Sequence, residues 1–333
     1  MSSGTGAVAG ATDAVAGRTD AGSSGGMGYL GPAGTFCEAG LRRLDPEAAA
    51  SAWPAPNVAA ALEALREGRL EAALVPFENS VEGSVSATLD ELIRGAPLVI
   101  TGEVHVEVEF ALMARPGTDL SSVRRVATHP VAHAQTRDWV AAQLPEAEVI
   151  PESSTARAAV LVAAEVYDAA IAAPLAAERH GLDILVSGIA DRPGAVTRFI
   201  RLARPGHIPP PTGADVTTVV AYLRRNHAGA LLELLNQFAM RGVDLVRLES
   251  RPTGEALGQY CFAIEALGHL SEPRVAEALA GLRRVCAEVR FLGSYARADG
   301  APTRVPEEAT STAYSDSRDW LASLTSSRPG ISR

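Results

Sequence analysis

The sequence predicts an α/β protein in two parts, a two-lobed domain followed by a smaller βαββαβ unit. From residue 28 to about 202, short apolar runs alternate with amphipathic runs, as strands do with helices. A Pro-rich segment at 204–212 interrupts this pattern as a linker would. Beyond it, strand, helix, strand, strand, helix and strand follow within about 80 residues, which is the order of a ferredoxin-like unit.

Composition excludes several classes of function. The 333 residues are 47% hydrophobic and 21% charged, and the net charge of -9 includes no basic block, which argues against a nucleic-acid partner. No stretch has about 18 consecutive apolar residues, so no membrane span is predicted. All 30 basic residues are Arg, which excludes pyridoxal-phosphate chemistry and a P-loop. Arg forks, backbone N–H groups or polar side chains must therefore hold an anionic substrate.

Cysteine and histidine spacing gives no sign of a metal or a disulfide. Cys37, Cys261 and Cys286 are far apart and form no CxxC pair, which fits a reducing cytoplasm. His129 and His133 have helical i, i+4 spacing, but neither a third ligand nor an HExxH glutamate accompanies them. We therefore expect no metal and no other cofactor.

The pattern divides the chain into five segments. Small and polar residues at the start predict a disordered leader, with Met27 as an alternative start. The polar, turn-rich end predicts a disordered tail, apart from a short helix near 319–324. The predicted segments are a leader at 1–26, the two-lobed domain at 27–204, a linker at 205–215, the βαββαβ unit at 216–296 and the tail at 297–333.

In the first lobe, polar residues follow two predicted strands. A strand at 28–30 leads into a Gly/Pro turn and a helix that Thr35 can cap, which makes an anion site or an ordinary turn. A helix at 57–68 leads to a strand at 71–75, which ends in Pro-Phe-Glu-Asn-Ser. Ligands bind where such strands end, so this second group is the stronger candidate.

The second lobe repeats the arrangement. A strand at 125–128 precedes a helix that opens on Pro130, with Thr128, His129 and Gln135 near the opening. Further elements follow at 149–150, 156–165, 169–172, 174–180 and 184–187. Two lobes of similar size, with the last strand returning to the first lobe, imply a cleft of the periplasmic-binding-protein-like kind.

A Pro/Gly turn at 191–194 leads into an extended run. Strand alternation places Thr197 and Phe199 on one face and Arg198 on the other. A hydroxyl beside an aromatic ring at the end of a turn suits a small-molecule site, although Thr and Phe are also common in strands.

Several motifs together resemble one family. GPAGTFCEAG, VPFENSVEGSV, THPVAHAQT, ESSTARAA and VTRF occur in the order and approximate spacing of the prephenate dehydratases. NHAGALLELL and LESRP resemble the phenylalanine-binding ACT domain that many of these enzymes carry. The resemblance covers residues 28 to about 295.

The resemblance implies a lyase that removes water and carbon dioxide from prephenate to give phenylpyruvate. It implies that Thr197 is the general acid. Arg198 is expected to be structural, because strand alternation places it on the other face. The implied substrate-binding residues are Thr35, Glu78, Asn79, Ser80, Thr128, Gln135, Ser153, Ser154, Thr155 and Phe199. Phenylalanine is the implied effector, with Gly229, Ala230, Leu231, Glu249, Ser250, Arg251 and Pro252 at its site.

The sequence departs from the family pattern at several positions, and alternatives stay open. Cys37 replaces a usual serine, Val131 a glutamine and Ala228 a proline, and Gly194-Ala195 replaces paired asparagines. An arogenate dehydratase or a non-catalytic amino-acid-binding regulator are the alternatives, and Thr197 argues against the second. We expect a monofunctional homodimer or homotetramer.

Overall fold

The computed structural model describes residues 25–206, 208–253 and 260–326. Its strands are β1 (Gly26–Leu30), β2 (Trp53–Ala55), β3 (Leu70–Asn79), β4 (Gly83–Ser84), β5 (Val99–Glu107), β6 (Ala111–Ala114), β7 (Arg125–Thr128), β8 (Glu148–Pro151), β9 (Ala169–Ala172), β10 (Asp183–Val186), β11 (Val196–Ala203), β12 (Asp215–Leu223), β13 (Leu245–Pro252), β14 (Tyr260–Leu267) and β15 (Cys286–Ala296). Its α-helices are α1 (Phe36–Leu44), α2 (Pro46–Ala49), α3 (Val58–Arg66), α4 (Ser86–Arg94), α5 (Pro130–Gln143), α6 (Thr155–Ala163), α7 (Pro174–His180), α8 (Ala230–Ala239), α9 (Pro273–Val285) and α10 (Ser311–Ser326). No helix in these ranges is long and apolar enough to cross a membrane.

The first lobe is built on a sheet of order β2-β1-β3-β11-β5, with β4 added to β3. β1 runs parallel to β2 and β3, whereas β11 is antiparallel to both of its neighbours. Leu62 and Leu65 of α3 and Leu74 and Val75 of β3 are fully buried. β11 follows the second lobe in the chain and inserts between β3 and β5 of this sheet. It therefore connects the two lobes.

The second lobe has a sheet of order β10-β6-β9-β7-β8. Every residue of β6 and β9 is buried, and β9 is nearly all alanine, which lets Ala158 and Ala159 of α6 pack closely. The chain crosses between the lobes after β5 and before β11. The structure thus confirms the predicted two-lobed α/β domain.

The C-terminal domain has a sheet of order β13-β14-β12-β15, with antiparallel neighbours throughout. Leu234 and Phe238 of α8 and Leu282 of α9 pack on one face of this sheet. On the opposite face, Val220 and Leu292 share an apolar cluster with residues of the first lobe. This confirms the ferredoxin-like βαββαβ order and shows that the domain docks on the first lobe.

The predicted disorder of the tail is wrong as far as residue 326, although the short helix predicted near 319–324 lies within α10. A 3-10 turn at Glu307–Ala309 and helix α10 replace it. Ala309 is buried beside Gly242, and the backbone N–H of Ala298 donates to Glu103. The composition of this segment predicts disorder, because the few contacts that anchor it are tertiary and are not visible in the local sequence. Residues 1–24 of the predicted leader and 327–333 of the tail lie outside the described residues, and β1 begins inside the predicted leader.

A buried carboxylate joins the two lobes. Glu38 of α1 is fully buried and accepts hydrogen bonds from the Gly34 N–H at 2.7 Å, from Arg42 Nε at 3.1 Å and from Arg179 of α7. Burial alone would raise the pKa of Glu38, but the hydrogen bonds from Arg179 and Gly34 and the nearby guanidinium charges hold it below its usual value. A side chain at Gly34 would lie 3.1 Å from Ala176 Cα, so glycine permits this close approach.

We predict that Glu38→Gln lowers the free energy of unfolding by about 1–3 kcal/mol near neutral pH, because it weakens charge-assisted hydrogen bonds. The folded-state pKa of Glu38 is depressed, so this stabilisation is present above the unfolded pKa and is lost as pH falls through the folded pKa. Urea unfolding at several pH values should show the gap between wild type and variant closing on acidification. Glu178→Gln is the control, because its exposed pair with Arg42 crosses the same boundary. A gap that is absent, or constant with pH, would contradict the assignment.

We also predict that Gly293→Ala destabilises the docking of the C-terminal domain by about 2–4 kcal/mol. Gly293 of β15 has φ +140°, and a side chain there would lie 2.3 Å from the carbonyl oxygen of Ile100 in β5. Gly102 of β5 is the matched control, since no atom lies within 4 Å of the corresponding position. Urea unfolding in which the two alanine variants are equally stable would show that this close approach is unimportant.

Candidate active site

A cleft of about 850 Å³ lies between the two lobes. Both lobes contribute strand ends and helix beginnings to it, as expected for an α/β domain. Its lining residues include Pro32, Thr35, Phe36, Cys37, Asn79, Val85, Asp90, Glu91, Val108, Phe110, His129, Val131, Gln135, Ser153, Ser154, Thr155, Thr197 and Phe199.

A hydrogen bond between neighbouring strands holds Thr197 in the cleft. Asn79 of β3 pairs in register with Thr197 of β11, and its Nδ2 donates to Thr197 Oγ1 at 2.9 Å. Asn79 Oδ1 accepts from the N–H groups of Val81 and Glu82 at 2.8 and 3.0 Å, which fixes the orientation of the amide. Because the Thr197 oxygen accepts this bond, its own O–H remains available to donate into the cleft.

The turn before Thr197 is anchored without the family's paired asparagines. Gly194 has φ +82°, which suits glycine, and the Ala195 carbonyl accepts from the Val108 N–H at 2.7 Å. Ser80 Oγ accepts from the Val196 N–H at 2.9 Å, while the Ser80 N–H donates to the Val196 carbonyl at 2.9 Å. Backbone and serine contacts therefore fix the entry to β11.

Among the helices that begin at the cleft are α1, α5 and α6. Thr35 caps α1 by accepting from the Glu38 N–H, His129 Nδ1 accepts from the Val131 N–H at the start of α5, and Ser154 Oγ accepts from the Arg157 N–H at the start of α6. Free N–H groups and the helix dipole make each beginning electropositive. No Arg side chain belongs to the lining within the described part of the chain, so these helix beginnings supply the positive potential.

Two carboxylates in the lining are neutralised by arginines. Asp90 accepts from Arg251 Nη2 at 2.6 Å, and Glu91 accepts from Arg66 Nη1 at 2.8 Å. Arg251 belongs to the C-terminal domain, so that domain contacts a residue of the cleft. Because the arginines offset their charge, these two carboxylates repel an anionic ligand less than unpaired carboxylates would.

Aromatic rings form the apolar wall of the cleft. Phe36 and Phe110 meet edge to face with ring centroids 5.6 Å apart, and they come from different lobes. Phe199 is buried on the same face of β11 as Thr197. Cys37 is also in the lining, but burial raises the pKa of its thiol well above its ordinary value. It is therefore an inert thiol that donates to the Leu74 carbonyl.

Most of the predicted substrate-binding residues meet in the cleft, and three do not. Glu78 lies on the opposite face of β3 from Asn79, 3.5 Å from Arg198. Ser80 holds the backbone of β11 from outside the lining, and Thr128 is fully buried and donates to the Ile171 carbonyl. The seven that line the cleft are Thr35, Asn79, Gln135, Ser153, Ser154, Thr155 and Phe199, and the predicted acid Thr197 lines it with them.

Several lining residues were not selected from the sequence. Phe36 stands beside Thr35 inside a quoted motif, and a wider reading of that motif would have found it. His129 is placed at the helix opening by the sequence but is not among the predicted substrate-binding residues. Asp90, Glu91 and Phe110 follow no local signal, because only the packing of the lobes brings them to the cleft.

The predicted effector residues divide between two faces of the C-terminal domain. Gly229 caps α8 with φ +91°, and the next residue, Ala230, lines a cavity of about 290 Å³. Along β13, Ser250 and Pro252 are exposed. Glu249 and Arg251 instead face the first lobe, where Glu249 accepts from Ser84 Oγ at 2.5 Å. Leu231 is partly buried against the helix-side core.

Comparison with known proteins agrees with this geometry. The family model for prephenate dehydratase matches residues 27–207. A prephenate dehydratase of Mycolicibacterium vanbaalenii is 45% identical over 320 residues, covering 91% of this chain and 99% of the relative. The crystal structure of prephenate dehydratase from Arthrobacter aurescens in complex with L-Phe is 49% identical with a TM-score of 0.84, covering 90% of this chain and 99% of that one.

A further solved structure is a quorum-quenching acylase, GqqA. It is 33% identical with a TM-score of 0.74, and the match covers 81% of this chain and 97% of that one. The family model and the curated relative nevertheless agree with each other over most of the chain. The chain therefore belongs to the prephenate dehydratase family.

Proposed function

We propose that this protein converts prephenate to phenylpyruvate with loss of water and carbon dioxide. The hydrogen bond from Asn79 to Thr197 carries the proposal, because it orients one hydroxyl as a proton donor into the cleft. Family membership supports the same reaction. The presence of the Thr197 hydroxyl and of its partner Asn79 also argues against a non-catalytic regulator, because a regulator needs no acid.

The reaction needs one proton at the leaving oxygen. The bond between the ring and its carboxylate breaks to release carbon dioxide, its electron pair enters the ring, and the ring C–O bond breaks. The departing hydroxide takes the proton of Thr197 Oγ1 and leaves as water, and Thr197 regains a proton from solvent. A threonine hydroxyl is a weak acid, so the Asn79 amide assists by stabilising the negative charge that develops on Oγ1.

Helix beginnings and neutral polar groups bind the substrate dianion. The starts of α1, α5 and α6 face the cleft, with the side chains of Ser153, Thr155 and Gln135 beside them. Thr35 holds the start of α1 in place, since it caps the helix and donates its hydroxyl to the Leu30 carbonyl. Phe36, Phe110 and Phe199 exclude water and strengthen these interactions. Electroneutral donors of this kind bind carboxylates without any lysine.

The lining favours prephenate over arogenate. Arogenate carries an ammonium group, for which a carboxylate is the natural partner. Both carboxylates of the lining, Asp90 and Glu91, are already paired with arginines. Arogenate would therefore have to break one of these pairs.

The geometry does not favour an acylase. Hydrolysis of an amide needs a nucleophile activated by a base. Across the described residues that line the cleft, no hydroxyl or thiol donates a hydrogen bond to His129, and the Cys37 thiol is buried and hard to ionise. The lyase reaction needs only the acid that Thr197 supplies.

L-Phenylalanine is the proposed effector of the C-terminal domain, which we assign as an ACT domain. The relative from Arthrobacter aurescens is a complex with L-Phe and covers 90% of this chain. Gly229 and Ser250, which belong to the two effector motifs, both lie at exposed positions of this domain. Ala230, the residue after Gly229, lines the cavity of about 290 Å³.

A homodimer or homotetramer is the proposed assembly, and the cytoplasm the proposed location. β13 is an edge strand, and Val246 and Leu248 on it are exposed, so a second copy that covers this edge would bury them. The thiols of Cys37, Cys261 and Cys286 are free and buried, which suits a reducing compartment.

We predict that Thr197→Val lowers kcat on prephenate by about 10²–10⁴-fold, because it removes the proton donor and keeps the shape. Thr197→Ser should retain most of the activity. Thr101→Val is the control, since that hydroxyl bonds to the Arg201 carbonyl in the neighbouring strand and is absent from the cleft lining. The assay follows phenylpyruvate formation. Inactive wild type would refute the function, and a fully active Thr197→Val enzyme would refute the acid.

We predict that L-phenylalanine changes the rate of wild type and that Gly229→Ala and Ser250→Ala reduce this response. Alanine at Gly229 would be strained by the φ of +91°, although no atom lies within 4 Å of the added carbon. Gly117→Ala is the matched control, with φ +79° and equally open space in the second lobe. Rates with and without the amino acid, and calorimetric binding, test this. Undiminished responses in both variants would place the effector elsewhere.

A further inference from the structure

A buried ion cluster lies directly behind the proposed acid, where the C-terminal domain docks on the first lobe. Arg198 of β11 makes two parallel hydrogen bonds to Glu265 of β14, from Nη1 at 2.7 Å and from Nη2 at 2.8 Å. Its Nη2 also donates to Tyr295 Oη of β15 at 3.0 Å, and its Nε donates to Glu103 of β5. One guanidinium therefore joins the catalytic sheet to two strands of the C-terminal sheet.

The cluster is shielded from solvent. The side chains of Arg198, Glu103 and Glu265 are 13%, 3% and 2% exposed. Burial alone would raise the pKa of Glu265, but the hydrogen bonds and charge of Arg198 hold it below its usual value, so the pair is ionised. The attraction between Arg198 and Glu265 is screened less than that of an ion pair at the surface. The two parallel hydrogen bonds between the guanidinium and the carboxylate allow only one relative orientation of the two groups.

Arg198 is bonded to the strands that hold the acid. It is the next residue after Thr197 on β11, and its Nη1 lies 3.5 Å from Glu78, the residue before Asn79 on β3. Its guanidinium also lies over the ring of Phe77, 5.3 Å from the centroid. A shift of this guanidinium therefore acts on both strands of the Asn79 to Thr197 hydrogen bond.

Glu265 is also adjacent to the proposed effector strand. It pairs in register with Arg247 of β13, and Ser250 lies three residues further along that strand. Arg247 stacks over the same Phe77 ring, 4.2 Å from its centroid. The link through Arg251 and Asp90 is more exposed, with side chains at 22% and 33%, so the Glu265 link is the better shielded of the two.

We propose that Arg198 is a positioning residue for Thr197 and that Glu265 of the C-terminal domain holds it in place. Binding of the effector to that domain changes the hold of Glu265 on Arg198, and the backbone of β11 carries the change to Thr197. This inference rests on the proposed function, because it explains how the proposed effector reaches the proposed acid. Glu78 and Glu103 complete the surroundings of the guanidinium from the catalytic side.

The test compares Glu265→Gln with wild type. Glutamine keeps the shape and an oxygen for Arg198 but removes the charge that makes the fork strong. We expect L-phenylalanine to bind within about threefold of its wild-type affinity by calorimetry. The ratio of kcat at saturating effector to kcat without effector should move toward one, while KM for prephenate changes little.

Two further variants separate positioning from general damage. Glu265→Asp keeps the charge with a shorter reach and should restore part of the response. Glu288→Gln removes an exposed carboxylate of β15 that pairs with Arg290, and it should respond as wild type does. If Glu265→Gln does not fold, as circular dichroism would show, Arg198→Lys replaces it, since lysine keeps the charge and loses the fork.

The outcomes distinguish this inference from the function on which it rests. A wild-type response to L-phenylalanine in Glu265→Gln, or in Arg198→Lys where that replaces it, overturns the inference alone. Wild type that forms no phenylpyruvate overturns the proposed reaction. Wild type that is active but indifferent to L-phenylalanine overturns the effector assignment, and this inference with it.

Discussion

Strand β11 serves two sites at once, and the arrangement of the molecule depends on its pleat. Successive side chains of a strand point to opposite faces, so Thr197 and Phe199 face the cleft while Arg198 faces the C-terminal domain. β11 also lies between β3 and β5 in the first sheet, antiparallel to both, and its register with β3 brings Asn79 to Thr197. A shift of the β11 backbone therefore moves the side chains on both faces.

The absence of lysine shapes the chemistry of the cleft. Arginines surround the site, yet those nearest to it are already engaged, as Arg66 is with Glu91 and Arg251 with Asp90. Positive potential inside the cleft comes from the beginnings of α1, α5 and α6. Such fixed dipoles need no reorganisation as charge moves from carboxylate to leaving oxygen, which is the condition for electrostatic catalysis.

Glycine and proline marked many elements well enough for prediction from sequence. β9 and α7 have the predicted bounds, and Gly181 ends α7 with φ +65°.

Alternation of side chains along a strand was sufficient to predict that Thr197 and Phe199 share one face. The predicted strand at 71–75 stops short of Glu78, Asn79 and Ser80, so the sequence predicts no alternation of faces for these three residues. Because β3 continues to Asn79, Glu78 faces away from the cleft. The burial of Thr128 depends on a tertiary contact that no local pattern contains, and the local pattern predicts only the end of the tail helix α10, near 319–324.

The ion cluster at the domain boundary is better explained by geometry than by stability. A buried ion pair gives little net stabilisation, because desolvation offsets most of the attraction, and apolar residues of similar volume often serve as well. Apolar surfaces, however, can slide, and part of this boundary is apolar, with Val220 and Leu292 in the shared cluster. The other polar contacts across it, such as those of Glu249 with Ser84 and of Arg251 with Asp90, are less buried. The fork between Arg198 and Glu265 fits one register only. The cluster therefore fixes where the C-terminal sheet sits relative to Thr197, which is what a domain that regulates this residue requires.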